Sequence, residues 1–345
     1  MKKKFGATIL FFALLITLAG CSSGSAVSKI EVTLDSASFV LLGDYGEATG
    51  GEEKNTLAVT LNVKNVSDIP VNVASYSDIK VYDGDKQLPV ETPYATELGF
   101  NAGGNDEIGA GKSKDITFIF AAEKEKKYEI SVTPFVITSD KPEKEVIVPI
   151  DTTEYAESYE KLDNPAKALV AYIETIYMGK ENKDYNELVS ADERERHEDA
   201  IKTFEDQINS AFYAITIPST ELKEQYANYQ KELAKKGEIS AKTLANANGK
   251  AVVQLEYTAL PLNNLHESVS DYRQEYFDNT GDYDAEKRDK YALTKLGSII
   301  NSIEPKDGER ALEIEMFEKD GKWELSSSYY TSDELDRIFA GRITY

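Results

Sequence analysis

The stretch that decides the fold of the first half of this chain runs Leu57-Ala58-Val59-Thr60-Leu61-Asn62-Val63-Lys64. Its most apolar residues stand at every second position. Because successive side chains of a β-strand point to opposite faces of a sheet, this period of two predicts a strand with one buried face. The same alternation returns at residues 116–120 and 128–132. Several half-buried strands are therefore expected before residue 151.

Turn signals separate these predicted strands. Asp83-Gly84 stands between residues 79–82 and 87–90, and Asp-Gly between two strand-like runs favours a two-residue hairpin. Short strands, frequent turns and the absence of a convincing helix are typical of a β-sandwich. We therefore predict an antiparallel β-sandwich over residues 29–151.

This first part of the chain resembles a known module. The run Leu57–Asp68, the segment Asp78–Asp83 and the turn Gly109–Lys112 are similar to an immunoglobulin-like domain of unknown function, which is common in surface lipoproteins of Gram-positive bacteria. The resemblance implies that the sandwich is immunoglobulin-like. Its motifs are structural, so it carries no catalytic residue over to this chain.

The hydrophobic period becomes helical after residue 160. Asn164-Pro165 marks a helix start, because proline is favoured at the first helical position, and an apolar stripe follows to Tyr177. We expect a linker over residues 152–160, with an introductory helix as the alternative. Further helical stripes and the hairpin signal Asp320-Gly321 predict a helix-rich α+β domain with an antiparallel hairpin over residues 161–345. This part resembles a C-terminal domain of unknown function that follows the immunoglobulin-like module in lipoproteins of Gram-positive bacteria.

The chain begins like a secretory precursor. Lys2–Lys4 precede the apolar run Phe5–Leu18, and small residues then lead to Cys21. A helix of this apolar run reaches only about 21 Å, short of the roughly 30 Å hydrocarbon core of a bilayer. A permanent membrane span is therefore not expected from this segment.

The sequence Leu18-Ala19-Gly20-Cys21 resembles the lipobox of bacterial lipoproteins. The resemblance implies that a signal peptide, residues 1–20, is removed and that the thiol of Cys21 receives a diacylglycerol. Two acyl chains suffice for stable membrane anchoring. Residues 21–28 are rich in Ser and Gly and are predicted to be a flexible tether. The mature protein would then be held on the extracellular face of the cell membrane.

Charge and cysteine content exclude some partners and bonds. The formal net charge is −22 at pH 7, and such a surface repels the phosphates of nucleic acids. Nucleic acid is therefore not expected as a partner. Cys21 is the only cysteine, so the chain cannot form an internal disulfide.

No convergent set of catalytic residues stands out in the sequence. The two histidines, His197 and His266, lie in unrelated contexts, and Gly111–Ser113 lacks the earlier glycine of a phosphate-binding loop. The acidic residues of 278–284 could hold calcium, and an exposed acidic loop between two helices is the alternative. We predict no catalytic residue, no metal and no cofactor, and Cys21 is the one functional residue that we assign.

These observations predict a non-enzymatic, lipid-anchored surface lipoprotein. Its expected role is to bind, or act as an accessory to, an envelope protein, a peptide or a glycan, while the diacylglycerol on Cys21 contacts the membrane. The alternative is a small-ligand carrier or an enzyme that uses a pocket in the C-terminal α+β domain. A deep cavity between the strands around Tyr257, Met316 and Trp323 and the first helix, with a buried carboxylate or His266 inside, would favour this alternative. A filled core there would contradict it.

Overall fold

The structure, a computed structural model, describes residues 28–43, 56–100, 106–137, 143–326 and 329–341. Cys21, the predicted signal peptide and all but the last residue of the predicted tether lie outside the described residues. Within these ranges the chain forms fourteen strands and nine α-helices, and all of the strand ladders are antiparallel. The predicted mixed architecture with antiparallel sheets is therefore confirmed.

The N-terminal part consists of strands joined by turns and short loops. They are β1 (Ile30–Val40), β2 (Thr56–Asn65), β3 (Val71–Asn72), β4 (Ile79–Asp83), β5 (Lys86–Leu88), β6 (Glu107–Ile108), β7 (Ser113–Ala121), β8 (Lys127–Val132) and β9 (Val146–Asp151). We call this part, described from residue 28 to residue 151, the N-terminal module. The predicted strand at Leu57–Lys64 is the centre of β2, and the Asp83-Gly84 hairpin joins β4 to β5.

Two sheets of the N-terminal module share one apolar core. One sheet has the strand order β1-β2-β7, the other has the order β5-β4-β8-β9, and β3 and β6 form a separate two-stranded pair. Leu57, Val59 and Leu61 of β2 are fully buried, together with Phe118 of β7 and Ile130 of β8. The alternation that predicted these strands therefore fills the space between the two sheets, as expected for strands with one buried face.

The segment after β9 is folded rather than extended. Thr152–Tyr155 forms a 3-10 turn and α1 spans Ala156–Glu160, so the alternative of an introductory helix describes residues 152–160 better than an unstructured linker does. The ring of Tyr159 meets the ring of Phe39 edge-on, with centroids 5.2 Å apart. The Ser158 hydroxyl accepts a hydrogen bond of 2.8 Å from the backbone N–H of Phe39. The segment is thus packed on the core of the N-terminal module.

The C-terminal part, described from residue 156 to residue 341, is called the C-terminal module. After α1 its helices are α2 (Asn164–Ile176), α3 (Lys183–Leu188), α4 (Glu193–Ala211), α5 (Ser219–Lys236), α6 (Leu265–Thr280), α7 (Ala285–Leu293), α8 (Leu296–Asn301) and α9 (Tyr329–Phe339). Its strands are β10 (Ile239–Ala247), β11 (Lys250–Ala259), β12 (Lys306–Asp307), β13 (Leu312–Lys319) and β14 (Lys322–Leu325). They form one sheet in the order β10-β11-β13-β14, with β12 beside β11.

Two hairpins of this sheet have turns of the same type, formed by Asn or Asp followed by Gly. Asp320 and Gly321 have φ angles of 53° and 80°, and Asn248 and Gly249 have φ angles of 51° and 72°. Two successive positive φ angles match the right-handed twist of the flanking strands and favour Asn or Asp followed by Gly. The predicted β13–β14 hairpin is confirmed, and the β10–β11 hairpin is an addition that the sequence reading did not include.

Some local predictions were wrong because tertiary contacts compete with local patterns. Ser190-x-x-Glu193 predicts a capping box, but the side chain that caps α4 is Asp192, which accepts from the Glu195 N–H at 3.0 Å. The backbone N–H of Ser190 instead donates to the carbonyl of Trp323 at 2.8 Å. The apolar stripe of Leu293, Leu296, Ile300 and Ile303 predicts one helix over residues 284–303, but this segment is divided between α7 and α8.

A backbone bridge joins the two modules. The N–H of Leu41 donates to the carbonyl of Asn246 at 2.9 Å, and the N–H of Asn246 donates to the carbonyl of Leu41 at 2.7 Å. An apolar cluster surrounds this bridge and includes Val40 and Leu42 on one side and Ala245 and Ala247 on the other. The C-terminal module therefore contacts the end of β1 that lies farthest from residue 28.

An ion pair is buried in the C-terminal module. The Arg273 guanidinium donates to the Asp289 carboxylate and to the carbonyl of Ala211, the latter at 2.7 Å. The other Asp289 oxygen accepts from the N–H of Ala214 at 2.8 Å. Asp289 is fully buried and the Arg273 side chain is 9% exposed, so the pair ties α6 and α7 to the end of α4. Among the described helices, none is both long enough and apolar enough to cross a membrane.

We predict that Arg273→Met destabilises the chain strongly. The substitution leaves the Asp289 carboxylate buried without its cation, and breaking a buried pair in this way costs about 3–5 kcal/mol. Lys290→Met is the matched control, because Lys290 pairs with Glu286 at 2.6 Å on the exposed face of α7. The measurement is the free energy of unfolding by denaturant titration, and equal losses for the two variants would contradict the prediction.

Candidate cleft beside a buried tyrosine cluster

A cleft opens where the β13–β14 hairpin meets the chain between α3 and α4. Val189 and Trp323 form a parallel bridge, and the bond from Ser190 to the Trp323 carbonyl continues it. Helix α2 lies behind this contact and contributes Tyr172. The cleft therefore depends on three segments that are far apart in the sequence.

The cleft has a volume of about 310 Å³ and is open to solvent on one side. Its floor is apolar and includes Tyr172, Met316 and Trp323, which are 3%, 2% and 5% exposed. Its rim is polar and includes the side chains of Ser190, Asp192, Glu195, Arg196 and Glu324. An apolar floor with a few polar groups at the rim is the usual composition of a ligand site.

The rim is more acidic than basic. Its Arg196 guanidinium pairs with Asp199 at 3.0 Å and with Glu195 at 3.2 Å. Because the rim arginine is paired with carboxylates and Glu324 lies 3.7 Å from the Lys319 ammonium, the excess negative charge of the rim lies on Asp192. The rim therefore favours a cationic group over an anionic one.

A carboxylate is partly buried behind the cleft floor. The Tyr177 hydroxyl donates to Oδ1 of Asp336 at 2.7 Å. Burial raises the pKa of Asp336 to about 6, and the nearby Asp199 carboxylate raises it further, while the bond from Tyr177 and the charge of Arg196 oppose the rise. Burial also raises the pKa of Tyr177 well above its usual range. A carboxyl group that titrates near neutral pH is common at functional sites and also occurs in structural networks.

Aromatic rings surround this pair. The ring centroids of Tyr177 and Phe339 are 5.5 Å apart, and those of Phe204 and Tyr226 are 5.3 Å apart. The buried hydroxyls of Tyr226 and Tyr185 have no hydrogen-bond partner among the described residues. Burial raises the pKa of Tyr185 to about 12, and the carboxylates of Glu193 and Asp192 add to the rise. Unpaired buried hydroxyls are costly, so this region has hydrogen-bonding capacity that the fold does not use.

The residues weighed from the sequence are not brought together. Cys21 lies outside the described residues. His197 is partly buried, with its ring 5.8 Å from that of Tyr226. His266 lies at the surface, with Nε2 3.2 Å from the Ser210 hydroxyl. Neither histidine lines the cleft.

In the acidic loop near Asp278–Asp284, carboxylates make hydrogen bonds and an ion pair with neighbouring residues. Asp284 caps α7 by accepting from the N–H of Lys287 at 3.1 Å, and Asp282 pairs with the Lys287 ammonium at 2.8 Å. In the part of the chain that the structure describes, no three His, Cys, Asp or Glu side chains are grouped so that they could hold a metal ion.

Sequence reasoning named Met316 and Trp323 but missed Arg196 and Asp336. Arg196 was part of a charge run, Asp192–Asp199, that is typical of a solvated helix face. Asp336 stands one residue after Leu335 and two before Ile338 in the final amphipathic helix. The position of Asp336 in this helix could have predicted its partial burial, because a carboxylate close to the apolar face of a helix is prone to partial burial.

We predict that Asp336→Asn stabilises the chain at pH 7. The pKa of Asp336 is about 6 in the folded chain against 3.8 ordinarily, so the folded state binds this proton more tightly than the unfolded state does. The stabilisation from this group is complete below about pH 4 and is lost as the pH rises to about 6. Asparagine keeps the acceptor for Tyr177 without the charge, and the gain at pH 7 should be about 1–3 kcal/mol.

Denaturant titrations at pH 4 and pH 7 measure this gain, which should be present at pH 7 and absent at pH 4. Asp333→Asn on the same helix is the matched control. The Asp333 carboxylate pairs with Arg337 at 2.6 Å, so removing its charge should give no stabilisation. A loss of stability for Asp336→Asn at pH 7 would contradict the raised pKa.

Comparison with known proteins gives relatives of unknown function. The chain is 27% identical to the uncharacterized lipoprotein YcdA of Bacillus subtilis (strain 168) over 357 residues, which cover 98% of this chain and 99% of the relative. The crystal structure of YcdA matches with a TM-score of 0.66 and 24% identity, and covers 91% of this chain and 98% of that one. A protein of unknown function from Listeria monocytogenes covers 36% of this chain and 88% of that one, with 14% identity and a TM-score of 0.25, too low to carry an argument.

These relatives confirm the predicted resemblance to a lipoprotein with a domain of unknown function, and the crystal structure supports the described fold across both modules. The model of one family, described as Domain of unknown function (DUF5105), matches residues 155–340. This range covers the C-terminal module from α1 to α9, including the cleft. The chain therefore belongs to the DUF5105 family.

Proposed function

We propose that the chain is a lipid-anchored binding protein on the extracellular face of the cell membrane. A diacylglycerol on Cys21 holds it there, and the C-terminal module presents the cleft to a partner. The anchor is supported by the leader sequence and by the similarity to a B. subtilis lipoprotein over nearly the whole chain. The observation that carries the binding role is the open cleft with the apolar floor at Tyr172 and Trp323.

In this proposal the N-terminal module is an immunoglobulin-like sandwich that acts as a spacer. Its two sheets share one core, as in a sandwich fold. Residue 28 and the Leu41–Asn246 bridge lie at opposite ends of β1. A strand of eleven residues is about 35 Å long. The spacer would therefore place the C-terminal module away from the bilayer.

The proposed partner is a peptide segment that carries an apolar side chain next to a basic one. The apolar floor would take the first, and the Asp192 carboxylate at the rim would attract the second. The net charge of −22 adds a long-range attraction for cationic partners. No catalysis is required of this site.

A second candidate function is that of a small-ligand carrier or an enzyme. It is favoured by the partly buried Asp336 carboxyl, whose pKa lies near 6. The low exposure of Met316 and Trp323 speaks against a deep cavity between the sheet and α2. We therefore place this candidate second.

The anchor is tested by Cys21→Ser. Without the thiol no diacylglycerol can be attached, so the precursor should keep residues 1–20 and should lose incorporation of a labelled fatty acid. Ser23→Ala is the matched control, and it should be processed and labelled normally. Normal processing together with retained acyl label in Cys21→Ser would contradict the proposal.

The cleft is tested by placing a photo-crosslinking benzoylphenylalanine at Glu324, with the same residue at the exposed Glu224 of α5 as the control. The membrane-bound chain is irradiated in intact cells. We expect a discrete adduct from position 324 only. A short Lys/Leu peptide should suppress it, and a Glu/Leu peptide of equal length should not. Equal adducts at both positions would contradict a binding role for the cleft.

A further inference from the structure

Apolar side chains are exposed at one end of the N-terminal module. Val66, Tyr76, Phe135 and Ile137 are 43%, 72%, 55% and 75% exposed. They account for four of the nine large hydrophobic side chains that are exposed among the described residues. We call these four residues the tether-end patch. Scattered exposed apolar residues need no explanation, but a concentration at one end of a module marks an interaction surface.

Backbone bonds show that these residues belong to the same end. The N–H of Val66 donates to the carbonyl of Lys29 at 2.9 Å. Phe135 and Asn72 exchange two backbone hydrogen bonds, of 2.8 Å and 2.9 Å. The N–H of Thr133 donates to the carbonyl of Asp78 at 2.9 Å, which brings the turn that carries Tyr76 next to the segment that carries Phe135 and Ile137.

The chain leaves the N-terminal module towards Cys21 at this same end. The Ser28 hydroxyl donates to the carbonyl of Lys144 at 3.1 Å, and the Lys29 ammonium pairs with Glu143 at 2.7 Å. Cys21 and Ser28 are seven residues apart, so the connection between them spans at most about 25 Å even when fully extended. If Cys21 carries the anchor, the tether-end patch cannot be far from the lipid headgroups.

Charged side chains also lie at this end. Lys29 pairs with Glu143 and Lys64 pairs with Glu31, while Asp68 is exposed, and the chain as a whole is strongly acidic. Attraction to anionic lipid is therefore not expected. Aromatic and aliphatic side chains are favoured at the boundary between headgroups and acyl chains, where a polar backbone can stay hydrated.

We propose that the tether-end patch inserts into the interfacial region of the phospholipid bilayer. This second, non-covalent contact orients the N-terminal module so that the C-terminal module and its cleft face away from the membrane. The inference goes beyond the proposed function, and uses the attachment at Cys21 only to bring the patch to the bilayer. The occupant is the bilayer itself, and the contact depends on apolar area rather than on lipid charge.

The test uses the mature chain, starting at Cys21, coupled through its only thiol to a maleimide lipid in neutral phosphatidylcholine vesicles. This coupling replaces biological acylation, so the result does not depend on whether cells modify Cys21. Phe135→Trp reports insertion through quenching by brominated lipid. Tyr283→Trp is the matched control, because Tyr283 is 74% exposed on the C-terminal module. The native Trp323 is 5% exposed and gives the same background in both variants.

We expect brominated lipid to reduce the added emission of Phe135→Trp by about half, as for a ring buried at the depth of interfacial helices, and to leave Tyr283→Trp unchanged. Ile137→Trp should give the same result, and it provides a second probe position if the substitution at Phe135 perturbs the local structure. Equal quenching at Phe135 and Tyr283 would overturn the proposal. Quenching that requires anionic lipid would overturn its apolar basis. A failed anchor would show instead in the Cys21→Ser experiment, so the two proposals fail separately.

Discussion

The strand β1 is the element on which the arrangement of this molecule depends. Its first residue, Ile30, is buried in the core of the N-terminal module, just after the contacts of Ser28 and Lys29 with the 143–144 segment. Immediately beyond its last residue, Leu41 exchanges two backbone hydrogen bonds with Asn246 of the C-terminal module. The ladder with β2 restrains β1 along its length, with a single register shift between Leu34 and Ser36. The distance between tether and C-terminal module is therefore set by strand geometry.

The cleft depends on a second long-range contact, between Val189 and Trp323. This contact holds the start of α4 against the β13–β14 hairpin, and it takes the Ser190 backbone away from the capping role that its sequence pattern favours. Asp192 caps α4 instead, and the same residue lies at the rim of the cleft. The Asp192 carboxylate therefore both stabilises the start of α4 and contributes negative charge to the cleft rim.

Those parts of the fold that rest on local chemistry were predictable from the sequence. Alternating residues placed β2, and Asp320-Gly321 placed the closing hairpin, because positive φ angles at both positions need these residue types. β10 was missed, although Asn248-Gly249 announced its turn, because Ile239–Ala247 is rich in Ala, Lys and Asn, which are depleted in strands. The cleft was only partly predictable: the sequence indicated Met316 and Trp323, but Arg196 meets them only through tertiary packing. The raised pKa of Asp336 likewise depends on its burial and on Tyr177, which is 159 positions away.

In the proposed arrangement a strand-built spacer holds the cleft away from the membrane. Neutron reflectometry of the mature chain, anchored through Cys21 to a supported phosphatidylcholine bilayer, measures the thickness of the protein layer directly. Two modules stacked end to end, with β1 of eleven residues meeting β10 of nine residues at Leu41–Asn246, predict a layer of about 65 Å. A layer of about 35 Å would mean that both modules lie flat on the lipid, and would contradict the account.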